Sequence, residues 1–220
     1  MRPFLVVSAF GPELAPFKPN SKGQVIHDAM RCETQAQALG VGPIDAAVGA
    51  ARAIARLEPS FVVFSGTCGV YPGAAPRVGE IVVASALHFG DGASALGLAA
   101  IPAIVRRRLE PAAAWLTPFE RAGARSVELL TLAAITTDAE LATALARQSA
   151  CEHLEAFAVA SACEAAGVPW ACVLGIANVV GPDARAEWLR NHHEASRLAA
   201  AVVLAGLAEL DASGVPSGRA

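Results

Sequence analysis

Two short stretches of the chain place polar groups where α/β proteins bind small molecules. Ser65-Gly66-Thr67-Cys68-Gly69 follows the apolar run at residues 61–64, and Asn178 follows the apolar run at residues 170–176. In open α/β sheets, ligands bind at the carboxyl ends of the strands. The two stretches therefore predict a backbone loop and an amide beside a polar small molecule.

Two carboxylates have comparable positions. Glu13 follows a Gly-Pro turn after the first apolar run, and Glu155 opens an uncharged helical segment after Leu154. Such a carboxylate can act as a general base or accept hydrogen bonds from ligand hydroxyls. Acidic residues are also common in the first turn of a helix, where the macrodipole favours them. Taken singly, these positions leave both explanations open.

The loop and the amide also have ordinary alternatives. Glycines such as Gly66 and Gly69 let backbone N–H groups approach an anion or a sugar, but they equally suit a tight turn. Asn178 is also of a residue type that is common in turns. Neither GxGxxG nor GxxxxGK[ST] occurs, which excludes the usual dinucleotide and P-loop motifs.

Strand-like and helical patterns alternate along the chain. Predicted strands cover residues 4–8, 61–64, 80–85, 129–135 and 170–176, and predicted helices start at residue 43 and cover 139–147, 152–166 and 194–210. This alternation predicts one α/β domain at residues 1–211, with a mixed, largely parallel central sheet flanked by helices in three layers. Residues 212–220 are predicted to form a flexible tail.

Composition narrows the class of protein. Apolar residues make up 54% of the chain, charged residues 17%, and the net charge is −3. Because 106–108 is the only basic run, we expect no nucleic-acid partner, and no apolar run is long enough to predict a membrane span. We also expect no metal and no cofactor. Five cysteines without a CxxC pair favour a reducing, cytoplasmic location.

The order of these features resembles the purine nucleoside and uridine phosphorylase superfamily, in particular its nucleosidase branch, which includes futalosine hydrolase and methylthioadenosine/S-adenosylhomocysteine nucleosidase. The resemblance spans nearly the whole chain. It consists of Glu13 after the first strand, Gly40-Val41-Gly42, Gly66-Thr67-Cys68-Gly69, the run 78–83, Leu154-Glu155-Ala156 and the segment 168–178.

The resemblance implies cleavage of a ribosyl–base bond. Glu13 and Asn178 would be catalytic, the first handling water and the second holding the leaving base. Glu155 with Leu154 would bind ribose, and Gly66, Thr67, Cys68 and Gly69 would lie beneath the sugar. It also implies a nucleoside as the small-molecule partner and a homo-oligomer, either a dimer or a hexamer.

The resemblance also bears on the nucleophile and the base. Phe64 stands where related phosphorylases carry a phosphate-binding Arg, which favours water. The amide of Asn178 can donate two hydrogen bonds but cannot protonate N7, which favours a 6-oxopurine such as that of futalosine. The segment 178–188 also resembles a stretch of futalosine hydrolase, and the carboxylate of futalosine would need a cation, such as Arg185 or the run 106–108. Leu174 and Ala177 depart from the family pattern. A 6-oxopurine nucleoside phosphorylase and a nucleoside-binding protein without activity remain alternatives.

Overall fold

Apolar strands form a mixed sheet at the centre of the molecule. The structure, a computed structural model, describes residues 2–214. The strands within that range are β1 (Phe4–Ser8), β2 (Gln24–Val25), β3 (Thr34–Ala38), β4 (Phe61–Val70), β5 (Ile81–Phe89), β6 (Arg108–Leu109), β7 (Arg125–Thr131), β8 (Cys151–His153) and β9 (Trp170–Val179). The helices are a 3₁₀ helix (Gly11–Phe17), α1 (Pro43–Leu57), α2 (Gly92–Ala95), α3 (Ala113–Arg121), α4 (Ala139–Leu145), α5 (Ala156–Ala166) and α6 (Ala184–Ala212).

The sheet is partly closed on itself. Its strand order is β2-β3-β1-β4-β8-β7-β5-β6, and β9 pairs with both β4 and β5. Strands β4, β8, β7, β5 and β9 therefore complete a ring. The long ladders β4–β9 and β5–β7 are parallel, whereas β4–β8 and β5–β9 are antiparallel.

Helices cover both faces of the sheet. Along β1, Leu5 and Val7 join the core that contains α1 and α5, and Phe4 and Val6 join the core that contains α3 and α6. A strand that is buried on both faces is apolar throughout, rather than alternating, which is why these runs are continuous. The predicted three-layer α/β fold with a mixed sheet is confirmed.

Two strands run further than the sequence pattern predicts. The segment Gly66-Thr67-Cys68-Gly69 lies inside β4, so the prediction of a loop there was wrong. The reason is tertiary: β9 pairs with β4 from Val62 to Val70, and β8 pairs with it at Gly69 and Val70. Asn178 likewise lies within β9 and not after it.

Other element boundaries also differ from the predictions. Residues 151–153 form strand β8, paired with β7 and β4, so the helix predicted at 152–166 begins only at Ala156. Strand β7 ends at Thr131, and α6 begins at Ala184, ten residues before the predicted start. The first residue of the predicted tail, Ala212, is the last residue of α6, and residues 213 and 214 form a turn. Residues 215–220 of the predicted tail lie outside the described residues.

Two other kinds of feature do not occur in residues 2–214. No helix in this range is both long and apolar enough to cross a membrane. Nor do these residues contain a group of three or more His, Cys, Asp or Glu side chains placed to hold one metal ion.

Candidate active site

A cavity of about 750 Å³ opens at one edge of the ring of strands. Its walls come from the 3₁₀ helix, β4, β8, β9 and the start of α6. Seven of the eight residues proposed from the sequence line it: Glu13, Thr67, Cys68, Gly69, Leu154, Glu155 and Asn178. This volume lies within the range typical of small-molecule sites.

Glu13 is held at the cavity by donors from two strands. Ser8 Oγ, at the end of β1, donates to Glu13 Oε2 over 2.6 Å. Thr67, in β4, donates to Glu13 Oε1 from its backbone N over 3.0 Å and from its hydroxyl over 2.8 Å. Three donors fix the carboxylate at one position and orientation.

Burial affects the pKa of the Glu13 carboxyl. Loss of hydration raises the pKa of this carboxyl above its ordinary value of 4.5, and the hydrogen bonds from Ser8 and Thr67 partly oppose that rise. The group is therefore a stronger base than a solvated glutamate. A positioned carboxylate of this kind suits proton transfer from water.

Gly66 does not line the cavity but leaves room for Glu13. A Cβ at residue 66 would lie 2.7 Å from Glu13 Oε2 and 3.1 Å from its carboxyl carbon. The backbone of β4 approaches this carboxylate more closely than any side chain would permit. Glycine at this position is therefore explained by a close approach, and not by the turn that the sequence pattern indicated.

Glu155 is another buried carboxylate that lines the cavity. Its Oε1 accepts a hydrogen bond of 2.7 Å from the backbone N of Gly42, which is 113 residues away in the chain. Gly42 has φ +89°, a conformation that favours glycine. This turn before α1 thus aims an N–H group at Glu155, which the motif Gly40-Val41-Gly42 alone did not reveal.

Cys68 and Leu154 provide apolar wall. The contact of the Cys68 thiol with Cys151 and its burial both raise the pKa of Cys68 well above the ordinary value, so the thiol stays neutral. Leu154 lies between the polar side chains of His153 and Glu155, and all three line the cavity.

Asn178, in β9, pairs with Gly69 of the neighbouring strand β4. Its Nδ2 donates to the backbone O of Val179 over 3.1 Å, which leaves one amide proton for a ligand. A Cβ at Gly69 would lie 2.9 Å from Asn178 Nδ2, so glycine there preserves the position of the amide. The side chain of Asn178 has two N–H donors, and the contact with Val179 reduces the number that is available to a ligand to one.

The start of α6 forms the outer wall. Trp188 Nε1 donates to Thr67 Oγ1 over 3.0 Å, which links this helix to the donor of Glu13. The guanidinium of Arg185 lies 5.4 Å from the centre of the Trp188 ring. Arg185 is exposed, lines the cavity and forms no ion pair within residues 2–214.

Sequence reasoning assigned no role to Ser8, His153 and Trp188. Ser8 ends the first buried strand, and His153 stands two residues before Glu155, so proximity to the proposed residues was an available signal for both. For Trp188, the available signal was the resemblance of the segment 178–188, which it ends, to a stretch of futalosine hydrolase. The contact of Trp188 with Thr67 joins residues 121 positions apart and depends on α6 beginning at Ala184.

The cavity and the ringed sheet together define an α/β protein with buried carboxylates at a cavity. Residues 32–209 match the family model of the phosphorylase superfamily. The chain belongs to this superfamily. No protein of curated function matches the sequence.

Solved structures share the fold over nearly the whole chain. A 5′-methylthioadenosine/S-adenosylhomocysteine nucleosidase from Colwellia psychrerythraea 34H, in complex with adenine, has a TM-score of 0.80 at 19% identity and covers 95% of this chain and 96% of its own. A futalosine hydrolase mutant from Helicobacter pylori has a TM-score of 0.83 at 13% identity and covers 96% and 100%. At these identities the likeness establishes the fold.

Proposed function

We propose that the protein hydrolyses the N-glycosidic bond of a purine nucleoside. The observation that carries this proposal is the Glu13 carboxylate, which three donors fix at a cavity that also contains the Glu155 carboxylate. Cleavage of a glycosidic bond passes through a transition state with oxocarbenium character. Two carboxylates beside the sugar would stabilise that positive charge.

Glu13 has the properties of the base that activates water. The water oxygen bonds to C1′ as the bond from C1′ to N9 breaks, and Glu13 takes a proton from the water. Asn178 donates a hydrogen bond to the leaving purine, but its amide cannot supply the proton that the purine gains. That proton therefore comes from solvent. Glu155 binds the sugar hydroxyls.

Water is a better nucleophile for this cavity than phosphate. Phe64 is buried and packs edge-on against His153, with 5.0 Å between ring centres, so β4 offers no cation at that position. Phosphate would also have to approach Glu13 and Glu155. A dianion beside two carboxylates, with no Arg on β4 to pair with it, would be poorly compensated.

The base is proposed to be a 6-oxopurine. The remaining amide proton of Asn178, directed at position 6 of the purine, matches the O6 acceptor of a 6-oxopurine, and it would face the N6 amine of a 6-aminopurine unfavourably. An unpaired polar group of this kind costs about 1–3 kcal/mol, equivalent to roughly tenfold or more in kcat/KM.

Arg185 supports a substrate with an anionic group, as in futalosine. Arg106 and Arg108 are paired with carboxylates, and Arg107 donates to the backbone O of Phe89. Arg185 alone of these four lines the cavity. We therefore place the substrate carboxylate against Arg185, at the start of α6.

A homo-oligomer, either a dimer or a hexamer, is proposed from the surface beside the cavity. Val41, Ile44 and Val48 are 60%, 78% and 53% exposed, at the start and along one face of α1. Apolar side chains that are clustered in this way on a protein surface are typical of contact with another protein. Light scattering coupled to size exclusion would test it, and a monomeric mass would contradict it.

The main test is a nucleoside panel assayed by chromatography, with and without phosphate. It contains futalosine, inosine, adenosine and methylthioadenosine. We expect release of free base at a rate that does not depend on phosphate, fastest with futalosine. Ribose 1-phosphate formed at a phosphate-dependent rate would identify a phosphorylase. Binding without any base release would identify a nucleoside-binding protein.

Within this panel, Arg185→Gln isolates the anionic group. We expect the variant to lose about tenfold in kcat/KM with futalosine and little with inosine, since only futalosine carries the carboxylate. Arg190→Gln, which removes an exposed cation further along α6, is the matched control. Equal losses with both substrates would contradict a carboxylate contact at Arg185.

A further inference from the structure

His153 lines the cavity, and the proposed mechanism assigns no role to it. It is the last residue of β8, it is buried, and it lines the cavity two residues before Glu155. Its Nδ1 lies 3.0 Å from the backbone N of Glu155 and 3.2 Å from that of Ala156. Both are N–H groups at the start of α5, so Nδ1 accepts hydrogen bonds there.

These two contacts assign the proton of the imidazole. A hydrogen on Nδ1 would point at two N–H donors at the positive end of an eleven-residue helix. Nδ1 therefore acts as an acceptor, and the ring N–H that is available to donate is on Nε2. Glu155 Oε2 also lies 3.2 Å from Nδ1, but an ion pair at that contact would sacrifice both hydrogen bonds to α5.

The protonated nitrogen faces the cavity. Within residues 2–214, Ser94 Oγ is the one side-chain nitrogen or oxygen that is sealed from solvent and has no partner. Nε2 of His153 has no partner among these residues either, and it is therefore open to the cavity that the ring lines. The imidazole ring and the Phe64 ring pack edge-on, which holds the imidazole in place. The result is a fixed N–H donor beside a carboxylate.

We propose that His153 Nε2 donates to the oxygen of one ribose hydroxyl that Glu155 also binds. This inference rests on the proposed function, since it needs a nucleoside sugar at Glu155. A hydroxyl that donates to Glu155 still has lone pairs to satisfy, and Nε2–H supplies the complementary donor. His153 is then a specificity-determining residue that selects ribose over a sugar lacking that hydroxyl.

Two substitutions separate the two nitrogens of His153. In His153→Asn, the side-chain oxygen can replace Nδ1 as acceptor for the start of α5, because Asn is a good helix cap, but nothing replaces Nε2–H. In His153→Gln, the longer side chain places an amide N–H near the position of Nε2, and the cap on α5 is lost. One variant removes the cavity donor and the other removes the cap.

The experiment measures kcat/KM for futalosine and inosine and for the 2′-deoxy and 3′-deoxy forms of each. We expect His153→Asn to lower the preference for ribose over one of the deoxy sugars by about tenfold, because the deoxy form has no oxygen to lose contact with. We expect His153→Gln to keep most of that preference while its melting temperature falls.

Three results would overturn the inference. A ribose preference that is unchanged in His153→Asn would mean that Nε2 does not read the sugar. Equal losses with every sugar in both variants, with lowered melting temperatures, would mean that His153 only supports α5. If the wild-type protein cleaved no nucleoside in either series, the proposed function itself would fail, and this inference would fail with it. The wild-type rates distinguish that last case from the first two.

Discussion

Two pairs of side chains in the cavity are held with different rigidity. The two carboxylates are bonded to the fold, since Glu13 accepts three hydrogen bonds and Glu155 accepts one from a backbone N–H. Asn178 bonds only to the carbonyl of its neighbour, and Arg185 is exposed and free of ion pairs within residues 2–214.

This difference matches what each pair would do in the proposed function. Groups that stabilise charge in a transition state work best when the fold orients them in advance. Groups that choose between substrates need only differ in affinity between one ligand and another. We therefore expect changes at the two carboxylates to reduce turnover with every substrate, and changes at Asn178 or Arg185 to alter substrate preference.

The largest effect is expected from Glu13→Gln. Turnover should fall by about 10²-fold or more with every substrate, because the amide cannot take a proton from water. The Gln side chain can still accept from Thr67, so the fold should be retained. Glu120→Gln, which changes an exposed carboxylate on α3, is the control. Turnover close to that of the wild type would exclude Glu13 from the mechanism.

Gly66→Ala should reduce turnover by about tenfold without removing any functional group. The new Cβ would lie 2.7 Å from Glu13 Oε2, so the carboxylate must shift, and misplacement of a catalytic group by about 1 Å can be very costly. Gly11→Ala is the matched control, because a Cβ there meets nothing within 4 Å. If both alanine variants were equally active, the close approach of β4 to Glu13 would have no catalytic importance.

The pH dependence follows from the raised pKa of Glu13. As a base, Glu13 must be ionised, so kcat/KM should fall about tenfold per pH unit below a pKa that lies above 4.5. The same shift has the opposite effect on stability: folding favours the protonated carboxyl, so stability is lost as pH rises from 4.5 through the raised pKa.

Melting temperatures of the wild type and Glu13→Gln across that range give an independent check. The variant has no carboxyl at residue 13 to titrate, so it should gain stability relative to the wild type as pH rises. If kcat/KM began to fall only at or below pH 4.5, the raised pKa of Glu13 would be contradicted. Melting temperatures that change with pH in parallel in the two proteins would contradict it as well.

The smallest effect is expected from a change at Asn178. Asn178→Asp should weaken the preference for 6-oxopurines several-fold, because a carboxyl can accept from the N6 amine and, when protonated, donate to N7. The measurement is the ratio of kcat/KM for inosine to that for adenosine in both proteins. An unchanged ratio, or a wild type that prefers adenosine, would mean that Asn178 does not read the base.

Much of the fold could be predicted from the chain, but its boundaries could not. Continuous apolar runs identified β1 and β9 because strands buried on both faces have no polar alternation. The same reasoning failed at Gly66–Gly69, where glycines signal a turn locally but pairing with β9 keeps the backbone extended. It also failed at residues 151–153, which pair with β7 and β4 instead of beginning a helix.

The sequence by itself determined which residue types were available for chemistry and in which order they occur along the chain. Glu13, Glu155 and Asn178 could be proposed from motif order, because that order follows the strands and helices along the chain. Only the tertiary structure decided how they are held. The donors of Glu13 come from Ser8 and Thr67, and that of Glu155 from Gly42. Hydrogen bonds and desolvation depend on distances in space, which no local pattern along the chain encodes.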